Sequence, residues 1–122
     1  MKTFNDQKLE SESEIHPVIL PEGYNGKILL VSVTGNTIGK TVLLRSGDLW
    51  HREILRNTEK EIRDIGVFDA QVHALGGALV RFETDGSILI YGNSHEFGAC
   101  DKQYAAEMVQ SAFPGRRVAV RD

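Results

Sequence analysis

The sequence is poor in cysteine and in long apolar stretches, and each absence excludes a class of protein. Cys100 is the only cysteine among 122 residues, so an intrachain disulfide and a cysteine-rich zinc site are excluded. No segment approaches the roughly 20 apolar residues of a membrane span, and residues 1–17 are polar where a signal peptide needs an apolar stretch. The sequence therefore predicts a cytoplasmic protein without a membrane anchor.

The sequence also lacks an excess of positive charge. Fourteen Lys and Arg stand against seventeen Asp and Glu, for a formal net charge of -3, and no basic run is interleaved with aromatic residues. Nucleic acid is therefore not an expected partner. Hydrophobic residues make up 41% of the chain, which is near the average for folded domains. Nothing in the sequence requires an oligomer, so a monomer is expected.

The length suits one domain, since single domains most often have roughly 100–150 residues. Residues 1–14 are polar and contain no aliphatic stretch, which predicts a disordered tail before a domain over residues 15–122.

The pattern of apolar residues predicts an α+β domain. Apolar residues recur at helical spacing from Leu49 to Ile65, including Trp50, and Asp101 is placed to cap a second helix that runs to about Phe113. Short apolar segments bounded by turn residues predict strands at 27–33, 41–44, 67–74, 79–84, 87–91 and 118–120. The expected fold is a mixed β-sheet of about six strands flanked by two α-helices.

The segment Gly35-Asn-Thr-Ile-Gly39-Lys40-Thr41 resembles a nucleotide-binding P-loop but fails its spacing. A P-loop has four residues between its glycines and then opens a helix. Here three residues separate the glycines, and Thr41 begins a predicted strand. A hairpin loop is the expected structure.

The four histidines do not form a metal motif, because no two of them are spaced four residues apart. We therefore predict no metal site and no cofactor. His51 differs from the others because it lies at the start of a predicted helix, where an exposed imidazole would titrate near neutral pH. The alternative is an ordinary surface residue of the helix.

The stretch from Tyr91 to Gly98 leaves a strand and leads into the second helix, with Ser94 between two glycines. Successive N–H groups in such a turn can converge on an anion, and the Ser94 hydroxyl adds a donor. An ordinary connecting loop is the alternative. Leu75-Gly76-Gly77 is either a place where two backbones approach closely or a simple turn.

These segments together resemble the small protein phosphohistidine phosphatases related to the Janus and Ocnus proteins, over most of residues 26–120. The matching pieces are Lys27-Ile-Leu-Leu-Val, Trp50-His51, Leu75-Gly76-Gly77 and Ile-x-Ile-Tyr91-Gly92-x-Ser94-x-x-Phe97-Gly98-x-Cys100. The resemblance implies a compact mixed sheet with two helices and a metal-independent phosphatase. Its substrate would be a phosphohistidine-containing protein or a small phosphoramidate.

The resemblance also assigns roles to individual residues. His51 matches the catalytic histidine, Lys27 the lysine that anchors the phosphate, and Ser94 with the backbone of His95 and Glu96 the phosphate-binding loop. His51 would act as a general base that takes a proton from water, and direct attack by the imidazole is a less favoured variant.

Two alternatives stay open. A carboxylate at Glu96 repels a nearby phosphate unless it points away, and this altered loop at His95 and Glu96 motivates a non-catalytic domain of the same fold that binds an anionic partner. A metal-assisted hydrolase would instead use His51, His95 and Glu96 as ligands.

Overall fold

The computed structural model describes residues 15–36, 38–47 and 49–122, and these form a five-stranded mixed sheet with one helix on each face. The elements are β1 (Gly26–Gly35), β2 (Gly39–Ser46), α1 (His51–Asp64), β3 (Gln71–Phe82), β4 (Ile88–Tyr91), α2 (Lys102–Ala112) and β5 (Val118–Val120). The strand order is β2-β1-β3-β4-β5. All neighbours are antiparallel except β4 and β5. The α+β prediction is confirmed, and the predicted tail at residues 1–14 lies outside the described residues.

Strand β1 is buried because both faces of the sheet are covered at its position. Successive side chains of a strand point to opposite faces. Leu29 and Val31 pack in the cluster that includes Ile54 of α1, whereas Ile28 and Leu30 pack in the cluster that holds the buried face of α2. Lys27 has the same parity as Leu29, so it lies on the α1 side of the sheet.

The first hairpin joins β1 to β2 between Gly35 and Gly39, which pair at its end. The predicted hairpin loop is therefore confirmed over its described residues, and the P-loop is excluded because a strand and not a helix follows it.

Helix α1 packs through Ile54 and Ile62, as its spacing predicts. The placement of Trp50 on its apolar face is wrong. Trp50 precedes the helix in an extended conformation, and 66% of its surface is exposed. The helix therefore begins at His51, one residue after the aromatic side chain.

Helix α2 begins as predicted, because the Asp101 carboxylate accepts a hydrogen bond from the Tyr104 N–H (3.1 Å). It buries Ala105, Ala106 and Val109, while Tyr104 stays exposed. In the part of the chain that the structure describes, neither helix has the length and apolarity needed to cross a membrane.

The prediction of separate strands at 67–74 and 79–84 is wrong, because one long strand, β3, runs through both. Its pairing with β1 shifts between Leu30 and Val31, so that Leu75 bulges out of the register. A bulge inserts one residue and reverses the parity of the faces. Val72 packs on the α1 side before it, and Val80 packs on the α2 side after it. In the sequence, this reversal has the same pattern as a break between two strands. The sheet therefore has five strands and not about six.

Candidate functional site

One surface pocket of about 240 Å³ brings together all the residues that the sequence singled out for chemistry. They reach it from three places: β1, the start of α1 and the loop between β4 and α2. The lining residues are Lys27, Trp50, His51, Arg52, Asn93, Ser94, His95 and Glu96.

Lys27 supplies positive charge at the pocket from an interior strand. β1 lies between β2 and β3, so Lys27 is not a charge at the sheet edge. The Lys27 carbonyl accepts a hydrogen bond from the Tyr24 hydroxyl (2.8 Å), which holds the backbone there. Of the ion pairs among the described residues, none includes Lys27. Its ammonium is therefore available to an anion that enters the pocket.

His51 is buried, with 6% of its surface exposed, so the expectation of an exposed imidazole at the helix start is wrong. The reason is Gly77 on β3. A Cβ at position 77 would lie 2.6 Å from the His51 Nε2 and 2.9 Å from the Ser94 Cβ. Because Gly77 has no side chain, the His51 ring can lie against the sheet at this position.

The tautomer of His51 follows from its hydrogen bond. Its Nε2 lies 3.2 Å from the carbonyl oxygen of Ala78. Because a carbonyl oxygen only accepts, Nε2 carries the hydrogen and the lone pair of the neutral ring is on Nδ1.

The pKa of His51 lies below its usual value of 6.5, chiefly because burial disfavours the charged ring and also because the Lys27 ammonium is close. The carbonyls of Ala78 and Ile28 and the Glu96 carboxylate act in the opposite direction without reversing the shift. His51 is therefore a neutral base at neutral pH.

The loop after β4 is fixed against β3 by main-chain hydrogen bonds. The Gly77 N–H donates to Gly98 O (2.9 Å), and the Cys100 N–H donates to Gly77 O (3.1 Å). At Gly76, where φ is +136°, a Cβ would lie 2.7 Å from Ala99 O. Gly76 thus permits a close approach of two backbones, whereas Gly77 makes room for the side chains of His51 and Ser94, and the alternative of a simple turn is wrong.

Ser94 organises the turn that faces His51. It is buried, and its Oγ accepts hydrogen bonds from the Glu96 N–H (3.2 Å) and the Phe97 N–H (3.1 Å). The Glu96 N–H is thus already paired, although the resemblance assigned the Glu96 backbone to phosphate binding. No described residue accepts from the His95 N–H. The Ser94 hydroxyl hydrogen likewise has no acceptor among the described residues, so both it and that N–H can donate to a ligand.

An ion pair that the sequence did not reveal crosses the rim of the pocket. The Arg52 Nε donates to the Glu96 carboxylate at 2.9 Å. Forty-four positions separate the two residues, so no local spacing signals the pair. The Arg52 guanidinium partly neutralises the Glu96 carboxylate, which was expected to repel a phosphate.

The metal alternative lacks a ligand set among the described residues. His51, His95 and Glu96 line the same pocket, but no three His, Cys, Asp or Glu side chains in the described ranges are placed to hold an ion. The Nε2 of His51 is also engaged by Ala78.

Comparison with known proteins places the chain in a family. No curated protein matches it. A family model described as the Janus/Ocnus family (Ocnus) matches residues 13–117, a range that includes both helices, four of the five strands and every residue of the pocket. The chain belongs to the Janus/Ocnus family.

Proposed function

We propose that this protein hydrolyses the P–N bond of a phosphoramidate, namely phosphohistidine in a protein or a related small molecule, without a metal ion. The observation that carries the proposal is the neutral, buried imidazole of His51 in one pocket with the hydroxyl of Ser94 and the ammonium of Lys27, which forms no ion pair among the described residues. A base, a cation and hydrogen-bond donors are what phosphoryl transfer to water needs.

Lys27, Ser94 and His95 hold the phosphoryl group in this proposal. The ammonium, the hydroxyl hydrogen and the His95 N–H meet the negative oxygens, and the loop that presents two of them is fixed to Gly77 by backbone hydrogen bonds. Donors that are positioned before the reaction stabilise the charge of the transition state without reorganising.

His51 activates water in the chemical step. Its Nδ1 lone pair takes one proton from a water molecule as the water oxygen bonds to phosphorus. The P–N bond breaks, and the nitrogen, protonated beforehand, leaves as a neutral amine or imidazole. The products are that amine, inorganic phosphate and a proton that His51 returns to solvent.

The lowered pKa of His51 sets the acid limb of the pH profile. A general base works only while it is unprotonated. The acid limb of kcat/KM is expected below pH 6.5, on the side to which burial shifts the pKa.

The test is phosphate release from phosphohistidine at neutral pH in EDTA. His51→Ala is expected to lower kcat about 10²–10⁴-fold, the usual contribution of a general base. His73→Ala is the matched control, because His73 is an exposed histidine of β3 that does not line the pocket. Equal release from the wild type and His51→Ala would contradict the proposal.

A non-catalytic anion-binding domain is the second candidate, because two contacts alter the loop that the resemblance assigns to the phosphate. Glu96 puts a carboxylate at the rim, and its N–H is already paired with Ser94. Binding of inorganic phosphate without turnover of phosphohistidine or phospholysine would support this candidate over hydrolysis.

The proposal extends to a cytoplasmic monomer that acts on a phosphorylated partner protein or small molecule and not on nucleic acid. Light scattering is expected to give a molar mass near 13.6 kDa, and a value of twice that would contradict the monomer.

A further inference from the structure

The Arg52–Glu96 pair has the properties of a contact that can exchange. Its 2.9 Å bond joins one guanidinium nitrogen, Nε, to one carboxylate oxygen. The two side chains keep 58% and 41% of their surface exposed. Single-contact pairs in water contribute little to stability. Both residues line the pocket and also a second hollow of about 340 Å³.

We propose that Arg52 is a second phosphoryl-binding cation, and that Glu96 is its resident counter-ion, which a dianionic phosphoryl group displaces. The inference rests on the proposed function, because it takes the pocket as the place where a phosphoryl group binds. It adds a source of specificity, because the Glu96 carboxylate, a monoanion, competes with the ligand for Arg52.

The charges of the pocket support the assignment. Lys27 and Arg52 are the lysine and the arginine among the described lining residues of the pocket. A phosphoryl dianion faces a single positive charge if Arg52 stays with Glu96, and two if Arg52 changes partner. The terminal nitrogens of Arg52 have no acceptor among the described residues, so the guanidinium can offer a phosphate the two-point contact that suits its geometry.

Selectivity for dianions follows from the exchange. A carboxylate ligand carries the same single charge as Glu96, so replacing one by the other gains no Coulomb energy. A phosphoryl dianion carries one charge more and accepts more hydrogen bonds. Glu96 therefore opposes monoanions more effectively than it opposes the substrate.

The experiment is a double-mutant cycle read by calorimetric titration with inorganic phosphate at low salt. The variants are Glu96→Gln, Arg52→Gln and the double variant. Glu96→Gln is expected to tighten phosphate binding about fivefold, because the competitor is gone and Arg52 is released. Arg52→Gln is expected to weaken binding about tenfold. In the Arg52→Gln background, Glu96→Gln is expected to give a smaller gain, because it then removes only the direct repulsion between Glu96 and phosphate.

The matched control is Glu22→Gln. Glu22 also pairs with an arginine, Arg116, at 2.9 Å, and it does not line the pocket. Its loss changes the net charge by the same amount and is expected to leave phosphate affinity unchanged. Folding of each variant is checked by circular dichroism.

Two results would overturn the inference: an equal gain from Glu96→Gln with and without Arg52, or no loss from Arg52→Gln. Hydrolysis of phosphohistidine is assayed separately on the same samples. If the binding cycle gives the expected coupling but no sample releases phosphate, the hydrolase proposal fails and the counter-ion exchange stands.

Discussion

The two ends of α1 each carry an arginine–glutamate pair, and the pairs differ in burial. Near the end of the helix, Glu61 binds Arg45 of β2 through two hydrogen bonds of 2.8 Å. Arg45 is 3% exposed and also donates to the carbonyl of Leu44. At the start of the helix, Arg52 holds Glu96 by one bond in solvent.

This difference determines how readily each pair can change partner. The Arg45–Glu61 pair cannot exchange its partner without leaving a buried charge. The Arg52–Glu96 pair can exchange at little cost, because water and other anions reach it. The same two residue types are thus structural at one end and suited to ligand exchange at the other.

Removing the glutamate of each pair tests this difference most directly. Glu61→Ala is expected to lower the free energy of unfolding by about 3 kcal/mol, because it leaves the buried Arg45 guanidinium unpaired. Glu96→Ala is expected to lower it by less than about 1 kcal/mol, as for other exposed pairs. Urea denaturation measures both. Equal losses would show that burial does not distinguish the pairs.

The double variant Arg45→Met/Glu61→Leu tests whether the buried charge of Arg45 causes the loss of stability in Glu61→Ala. Because apolar residues can replace a buried pair at little cost, most of the lost stability should return. A double variant as unstable as Glu61→Ala would mean that the buried charge of Arg45 is not what destabilises Glu61→Ala.

The next largest effect concerns Gly77, which leaves space for the His51 ring at the start of α1. Gly77→Ala is expected to displace the ring and lower kcat/KM for phosphohistidine roughly 10²-fold, with about 2 kcal/mol of destabilisation from overpacking. Gly35→Ala is the matched control, because Gly35 also lies outside the left-handed region and a Cβ there has 3.3 Å to Ala70. A drop in activity as large in Gly35→Ala would argue against a specific effect on His51.

The smallest effect is a pH dependence of stability at the same end. His51 has a folded pKa below its unfolded value of about 6.5. The unfolded chain therefore binds a proton that the folded chain does not, and His51's contribution to stability is lost as the pH falls below about 6.5 and levels off beneath the folded pKa. One proton limits the slope to about 1.4 kcal/mol per pH unit.

Urea titrations of the wild type and His51→Gln from neutral pH to mildly acidic pH measure this contribution. The wild type should lose more stability than the variant, because glutamine does not titrate. Parallel curves would mean that the folded imidazole has the same pKa as the unfolded one.

The sequence predicts most of the fold, because both helices and most strands have a clear period or turn signal. Asp101 and the hairpin at Gly35 and Gly39 behave as local chemistry dictates. The bulge at Leu75 does not, since its register depends on pairing with β1. A reversal of parity inside one strand has the same pattern as two short strands, so local reading counted one strand too many.

The candidate site was predictable in membership but not in detail. The family resemblance assigned Lys27, His51 and Ser94, and of these His51 and Ser94 also stand out by their positions beside predicted helices and strands. The burial of His51 depends on Gly77, which lies 26 residues away, and the pairing of Arg52 with Glu96 spans a still longer separation. Contacts between distant segments leave no mark in a local pattern.

The backbone clamp between Gly77 and the loop after β4 makes the pocket chemically adaptable. The loop is held by bonds between main-chain atoms, and the side chains of Asn93, His95 and Glu96 take no part in them. Natural variation or directed evolution can therefore exchange these three side chains on an unchanged frame. Chains that differ only there would keep one architecture and diverge in the anions they admit.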